Sequence, residues 1–311
     1  MLTIALAIAP IFALLVLGNV LRRKGIPSFE FWTLNDKLVY WVLMPALLFH
    51  QTSTAHLDPA MVGPYAVVIL GGFFIAVIYG LLAARAAKLP GPVASSLLQG
   101  ASRHNTFIAL AASEQLLGAE GLALAALASA MYIPVTSFVI VPCMVALHAD
   151  RSESGLWRRI LRDLATNPLI LSVLAGLLAN ATGQTAVPVL HETSRILGSA
   201  ALPIMLLSVG ASLKARQLTA AVPLTLLSAG SKFLLFPAVV VGLSLLVGLT
   251  QTQMTVALIY AAVPTATSSY TLARQMGGDS AVMAAIMSLQ TAMSFVTIPV
   301  TLSLVARFLG G

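Results

Sequence analysis

The sequence predicts an all-α integral membrane protein: ten transmembrane helices arranged as two five-helix repeats of inverted topology. Three observations carry this. Of 311 residues, 17 are Lys or Arg and 10 are Asp or Glu, so 9% are charged while 59% are hydrophobic. A soluble domain carries about 25% charged residues. The apolar runs are far longer than the ~10-residue alternating strands of an outer-membrane barrel and suit helices of ~20 residues. Prolines and glycines also recur in register between the two halves of the chain.

In order, the apolar segments are residues 2–21, 31–49, 61–84, 93–113, 122–147, 168–188, 196–213, 220–249, 254–272 and 281–306. The first lacks a basic leader and is followed by Arg22, Arg23 and Lys24, so it reads as a retained span rather than a signal peptide. The longest connection, 148–167, carries Arg151, Arg158, Arg159 and Arg162, and residues 157–161 suit a short interfacial helix. This divides the chain into a first repeat (1–147), a cytoplasmic linker (148–166) and a second repeat (167–311).

Charge placement sets the orientation. With both ends of the chain extracytoplasmic, 13 of the 17 cations fall on the cytoplasmic side: Arg22, Arg23, Lys24, Lys37, Arg85, Lys88, the four linker arginines, Lys214, Arg216 and Arg274. Arg195 and Arg307 fall outside, and Arg103 and Lys232 lie within spans. The net charge of +7 is therefore a topology signal, scattered between apolar runs, and not a nucleic-acid surface. One cysteine, Cys143, excludes an internal disulfide or a cysteine metal site.

Shifting the chain by 158 residues lays Pro10 on Pro168, Gly18 on Gly176, Gly25 on Gly183 and Pro45 on Pro203. At 159, Gly118 meets Gly277, Ser129 meets Ser288 and Asn105 meets Pro264. Each half holds an odd number of spans, so the second is inverted relative to the first. Inverted repeats give secondary transporters two near-equivalent packings, one open to each side.

The site is expected where paired spans break near the midplane. The fourth span reads Gly100-Ala101-Ser102-Arg103-His104-Asn105-Thr106-Phe107 and the ninth Val263-Pro264-Thr265-Ala266-Thr267-Ser268-Ser269. Pro264 removes a backbone donor, and neighbouring hydroxyls can answer the freed groups. Arg103, His104, Asn105, Thr106, Pro264, Thr265, Thr267 and Ser268, with Gln290 reaching in from the tenth span, are the candidate substrate-binding residues. A cation deep in a span faces a cavity or a partner, and Arg103 suits a small carboxylate. The competing reading has Arg103 snorkelling to the cytoplasmic interface. Lys232 reads as a counter-charge, a stand-in for a coupling cation or a structural group. Asn19 is equally open, and His50, His56, His148 and His191 read as interfacial.

No cofactor is expected. No phosphate-binding loop occurs, and protons through His104, Na⁺ and uncoupled movement all fit as the source of coupling. An intramembrane serine protease is the distant alternative, on Gly100-Ala101-Ser102 and Gly210-Ala211-Ser212. His104 lies only two residues from Ser102, which turns it elsewhere on a helix, so an enzyme is not expected.

The chain resembles the auxin efflux carrier family, in particular its bacterial malonate-transporter-like branch. The resemblance rests on Thr166-Asn167-Pro168-Leu169-Ile170 with Gly176, on Ala201-Leu202-Pro203-Ile204-Met205 with Gly210, and on Arg103 to Phe107. It rests also on Ala262 to Ser268 followed by Leu272-Ala273. It implies a fold similar to that of sodium-coupled bile-acid symporters, with broken helices four and nine crossing, and transport of a small organic anion such as malonate or a related acid. By position Asn105 matches the polar residue of the fourth-helix crossover, and Pro264 the proline of the ninth. The chain lacks a proline beside Asn105 and has a short middle loop, unlike the plant members. A homodimer and location in the cell inner membrane follow from the resemblance alone.

Overall fold

The computed structural model describes residues 1–55, 58–148, 156–182, 188–213 and 221–309. Among these the secondary structure is helical throughout, with no strand. Expectations for Arg151, Lys214, Arg216 and His56 fall outside the described residues.

Helix α1 covers Leu2–Arg23. Helices α2 (Phe29–Leu38) and α3 (Met44–Thr54) run on through a π-helical turn, Val39–Leu43. Then come α4 (Pro59–Ala86), α5 (Gly91–Ser102) and the long α6 (Thr106–Leu147). A short α7 (Leu156–Ala165) precedes α8 (Pro168–Ala181) and α9 (Pro188–Ser212). Helices α10 (Val222–Gly230) and α11 (Phe236–Val247) join through a second π turn, Ser231–Leu235. The chain continues with α12 (Gln251–Ala262), α13 (Ser268–Met276) and α14 (Ser280–Leu309). Among the described residues six helical segments are long and apolar enough to cross a membrane, and α8 is a shorter apolar helix. The protein is multi-pass.

Local chemistry explains where these helices start. Ser28, Asp58, Asn105, Asn167 and Thr250 each accept a backbone N–H of the first turn they cap, answering donors that have no partner within the helix. Both π turns end two residues before a proline, Pro45 and Pro237. A proline has no N–H to give and its ring crowds the preceding turn, so the turn widens.

Two boundaries differ from the sequence expectation. Helix α9 starts at Pro188 rather than near 196; its first turns are polar and carry an exposed ion pair, in which Arg195 Nε donates to Glu192 Oε2 at 2.9 Å. Hydropathy does not register such a pair. The linker helix spans Leu156–Ala165, longer than the five residues expected.

Close packing concentrates where glycine permits it. A Cβ on Gly18 of α1 would strike the carbonyl of Leu207 in α9, and one on Gly210 of α9 would strike the carbonyl of Leu15 in α1. Gly176 of α8 faces the carbonyl of Phe49 and the side chain of Thr52 in α3 in the same way. Small residues at such crossings let backbones approach, which stabilises helix pairs in lipid. Two asparagines finish the same contacts. Asn19 Nδ2 donates to the carbonyls of Gly210 and Leu213 at the end of α9, at 3.1 and 2.9 Å. Asn180 Nδ2 donates to those of Ser53 and Ala55 at the end of α3, at 3.0 and 2.7 Å. Asn19 is thus a helix cap.

Candidate functional site: two broken helices and a polar cavity

The fourth apolar segment is interrupted after Ser102. Arg103 and Asn105 are extended, with φ/ψ of −75/155° and −84/96°. Asn105 then restarts the helix, its Oδ1 accepting the N–H groups of Phe107 and Ile108, both at 3.1 Å. The restarted arm ends at Gly118, whose φ of +63° breaks α6 internally. The ninth segment is interrupted after Ala262, with Val263 extended at −70/154°. Its restarted arm, α13, ends at Gly277 with φ +75°.

The interruptions meet. The Asn105 N–H donates to the Pro264 carbonyl at 2.7 Å. Around this link, side chains answer the backbone groups that the missing helical turns leave open, as a buried backbone requires. The Gln290 carboxamide holds both breaks: Oε1 accepts the Thr265 N–H at 3.0 Å, and Nε2 donates to the Gly100 carbonyl at 3.0 Å. Nε2 also donates to Ser228 Oγ at 3.0 Å. Thr265 Oγ1 donates to the Gln99 carbonyl at 3.0 Å.

Beside the link lies a cavity of ≈ 280 Å³. Arg103, His104, Asn105, Thr106, Thr267 and Ser268 line it, with Tyr40, Thr136, Ser137 and Asn167 opposite. Arg103 is braced on both sides: Nη1 donates to Gln99 Oε1 at 3.0 Å and Nη2 to Ser268 Oγ at 2.9 Å. It thus lines a cavity. A second cavity of ≈ 290 Å³ shares Arg103, Thr136, Ser137 and Ser268, and extends to Ile160 and Asp163 of α7. The N-termini of α6 and α13 carry positive partial charge at the crossover, so the surroundings suit an anion.

Six of the nine candidate residues therefore share one cavity. Pro264, Thr265 and Gln290 do not line it; they stand behind it and hold its backbone frame. The His104 ring lies 3.9 Å from that of Tyr132 and 5.2 Å from that of Tyr260. These tyrosines are anchored in turn, Tyr132 donating to the Ile69 carbonyl at 3.0 Å and Tyr260 to that of Ala125 at 2.7 Å. Asn105 Nδ2, Gln99 Nε2 and His104 Nδ1 are buried without a hydrogen-bond partner. Lys232 is fully buried, its ammonium 4.7 Å from the centroid of the Phe236 ring, a cation–π contact; it lines neither cavity but acts electrostatically on His104, which lines one. Ser102 donates to the Leu98 carbonyl at 2.7 Å and Ser212 to that of Val209 at 2.6 Å, so both hydroxyls of the protease-like tripeptides bond to their own helices.

Gln99, Tyr40, Thr136, Ser137 and Asn167 were not singled out by sequence. Gln99 carried a usable signal, an amide one helical turn before an arginine inside an apolar run. Thr136 and Ser137, adjacent hydroxyls between Pro134 and Pro142, carried a weaker one.

An all-helical, multi-pass chain in which two interrupted helices meet at a polar cavity has the organisation of a membrane transporter. The sequence profile described as "Membrane transport protein" matches residues 3–302, and the chain belongs to this family, that of the auxin efflux carriers. The family is one of transporters and not of enzymes. A protein of Methanothermobacter thermautotrophicus described as an uncharacterized transporter is 22% identical over 292 residues, covering 93% of this chain and 94% of that one.

Proposed function

We propose that this protein is a secondary carrier of the cell inner membrane that moves a small organic anion with one carboxylate by alternating access. The observation that carries the reading is the Asn105–Pro264 link with a cavity opening beside it and the Arg103 guanidinium in its wall. Arg103, Asn105, Thr106, Thr267 and Ser268 would bind the carboxylate and His104 would face the body of the substrate. Pro264, Thr265 and Gln290 would keep the two breaks in register.

Charge argues for a monoanion. Arg103 is the only lysine or arginine lining the cavity, and the adjoining space ends on Asp163. A dicarboxylate such as malonate would bring a second carboxylate with no second cation in the cavity wall to meet it, Lys232 lying behind His104 rather than in the lining, and an unpaired buried charge is costly.

Ten spans in two inverted halves are supported by contacts that repeat at a fixed interval. Gly176 lies 158 residues after Gly18, and Leu207 lies 158 after Phe49. The Gly18–Leu207 and Gly176–Phe49 approaches are thus one contact made twice. Gly118 and Gly277, 159 apart, both end the restarted arms with a positive φ, +63° and +75°, though their ψ angles differ, −148° and 19°.

Uptake of radiolabelled mono- and dicarboxylates into proteoliposomes tests the reading, with and without Na⁺ and at several pH values. Saturable monocarboxylate uptake, lost in Arg103→Gln with the protein still folded, is the expected result. Absence of uptake for every acid, or uptake indifferent to Arg103→Gln, would overturn it.

A further inference from the structure

The largest of the cavities described here lies on the outside of the helix bundle, away from the crossover. It is a trough of ≈ 630 Å³ between α1 and α14. Phe12, Ala13, Val16 and Val20 of α1 face Ala292 and Phe295 of α14 across it. Phe12, Val16 and Val20 recur every four residues, with Ala13 beside Phe12, and so share one helix face.

The two ends of the trough differ. At one, the Phe12 and Phe295 rings meet edge-on, 5.0 Å between centroids. At the other stands Arg23, exposed and next to Arg22 and Lys24. The one ion pair among the described residues is Arg195–Glu192, so Arg23 has no carboxylate partner there. Between the ends the walls are apolar but for Asn19, Ser288 and Thr291. Asn19 turns its amide to the end of α9, and Thr291 Oγ1 donates to the Met287 carbonyl at 2.7 Å within its own helix. From Phe12 to Arg23 the trough runs eleven helical residues, about 16 Å at ~1.5 Å each. That is close to half of the ~30 Å hydrocarbon core. A groove as deep as one leaflet, stopped by aromatic rings inside and opening on a cation at headgroup level, has the dimensions and polarity of a lipid site.

We infer that this trough holds one acyl chain of an anionic phospholipid, whose headgroup rests on Arg23. Basic residues at the cytoplasmic ends of helices attract anionic headgroups, whereas a phosphocholine headgroup carries a quaternary ammonium that Arg23 repels. The lipid would bridge α1, which is locked to α9 through Gly18 and Gly210, and α14, which carries the Gln290 clamp. The inference is independent of which anion is carried.

Thermal unfolding of the purified full-length chain in detergent, with added phosphatidylglycerol or phosphatidylcholine of matched chains, tests it. Phosphatidylglycerol should raise the midpoint several degrees further than phosphatidylcholine does. Arg23→Gln should abolish that difference, and Ala13→Trp, whose indole fills the trough, should abolish the stabilisation itself. Ala292→Leu serves as a second filling variant should Ala13→Trp fail to fold. Equal shifts from the two lipids in the unaltered protein would overturn the assignment. So would a preference undiminished in Arg23→Gln, or a filling variant that keeps its lipid response but changes the oligomeric mass, which would make the trough a contact between two copies.

Discussion

Asn105 does two things with the two ends of one amide. Its Oδ1 caps the restarted helix, while Nδ2 is buried and free to donate. The two roles separate by substitution. Asn105→Ser keeps a capping oxygen and removes the free donor, so the protein should fold and lose saturable uptake. Asn105→Ala removes both and should lose about 1 kcal/mol of stability besides. Thermal unfolding beside uptake reads the two effects, and wild-type transport by Asn105→Ser would take the amide out of the site. Gln290→Leu should act differently. It strands the Thr265 N–H and the Gly100 carbonyl in a dry interior, at about 1–3 kcal/mol for each group, and should lower the unfolding midpoint before any question of transport arises. An unchanged midpoint would mean the clamp is dispensable. Arg103 and Asn105 were legible in sequence because polar groups inside an apolar run are expensive and need a reason. Gln99 and Tyr132 were not. The importance of Gln99 lies in what it touches, and a tyrosine in an apolar helix reads as one more aromatic.

At the scale of the helix, prolines and glycines do most of the shaping. Pro264 ends a helix where hydroxyls and a glutamine stand ready to receive the freed backbone. Pro45 and Pro237 instead follow π turns inside continuous helices, and Pro10 and Pro203 sit within α-helices without one. The residue type alone therefore marks where strain falls and leaves its form to the neighbours, which is why the π turns were invisible in sequence while the break was not. Glycine divides likewise. Gly210→Val would drive a side chain into the Leu15 carbonyl and push α1 off α9, an overpacking that costs about 1–3 kcal/mol. Gly242, inside α11, has no atom within 4 Å of a would-be Cβ, so Gly242→Ala should be neutral or stabilising by about 0.5–1 kcal/mol. The unfolding midpoint should fall in Gly210→Val and hold or rise in Gly242→Ala; a harmless Gly210→Val would deny that the crossing is tight. The glycines were visible from the outset, but their partners across the α1–α9 crossing came only with the fold.

Across the whole molecule, the Pro and Gly matches between the two halves were readable because backbone geometry fixes such residues in place, whereas apolar side chains substitute freely for one another. Which faces of the spans meet lipid was not readable, since Leu, Val and Phe serve equally well against lipid and against a neighbouring helix. Hydropathy likewise placed ten segments without assigning the polar start of α9, because an ion pair leaves no apolar trace. Alternating access makes one demand on the assembled protein: the crossover cavity must be reachable from each side of the membrane in turn. With Cys143 the single native cysteine, Thr267→Cys in a Cys143→Ser background puts one thiol in the cavity wall. Labelling it in oriented vesicles with a membrane-impermeant maleimide, applied separately to each face, is the most direct measurement. Modification from both faces, slowed by a transported carboxylate, is the predicted result; modification from one face alone, unaffected by any carboxylate, would contradict a carrier built on this crossover.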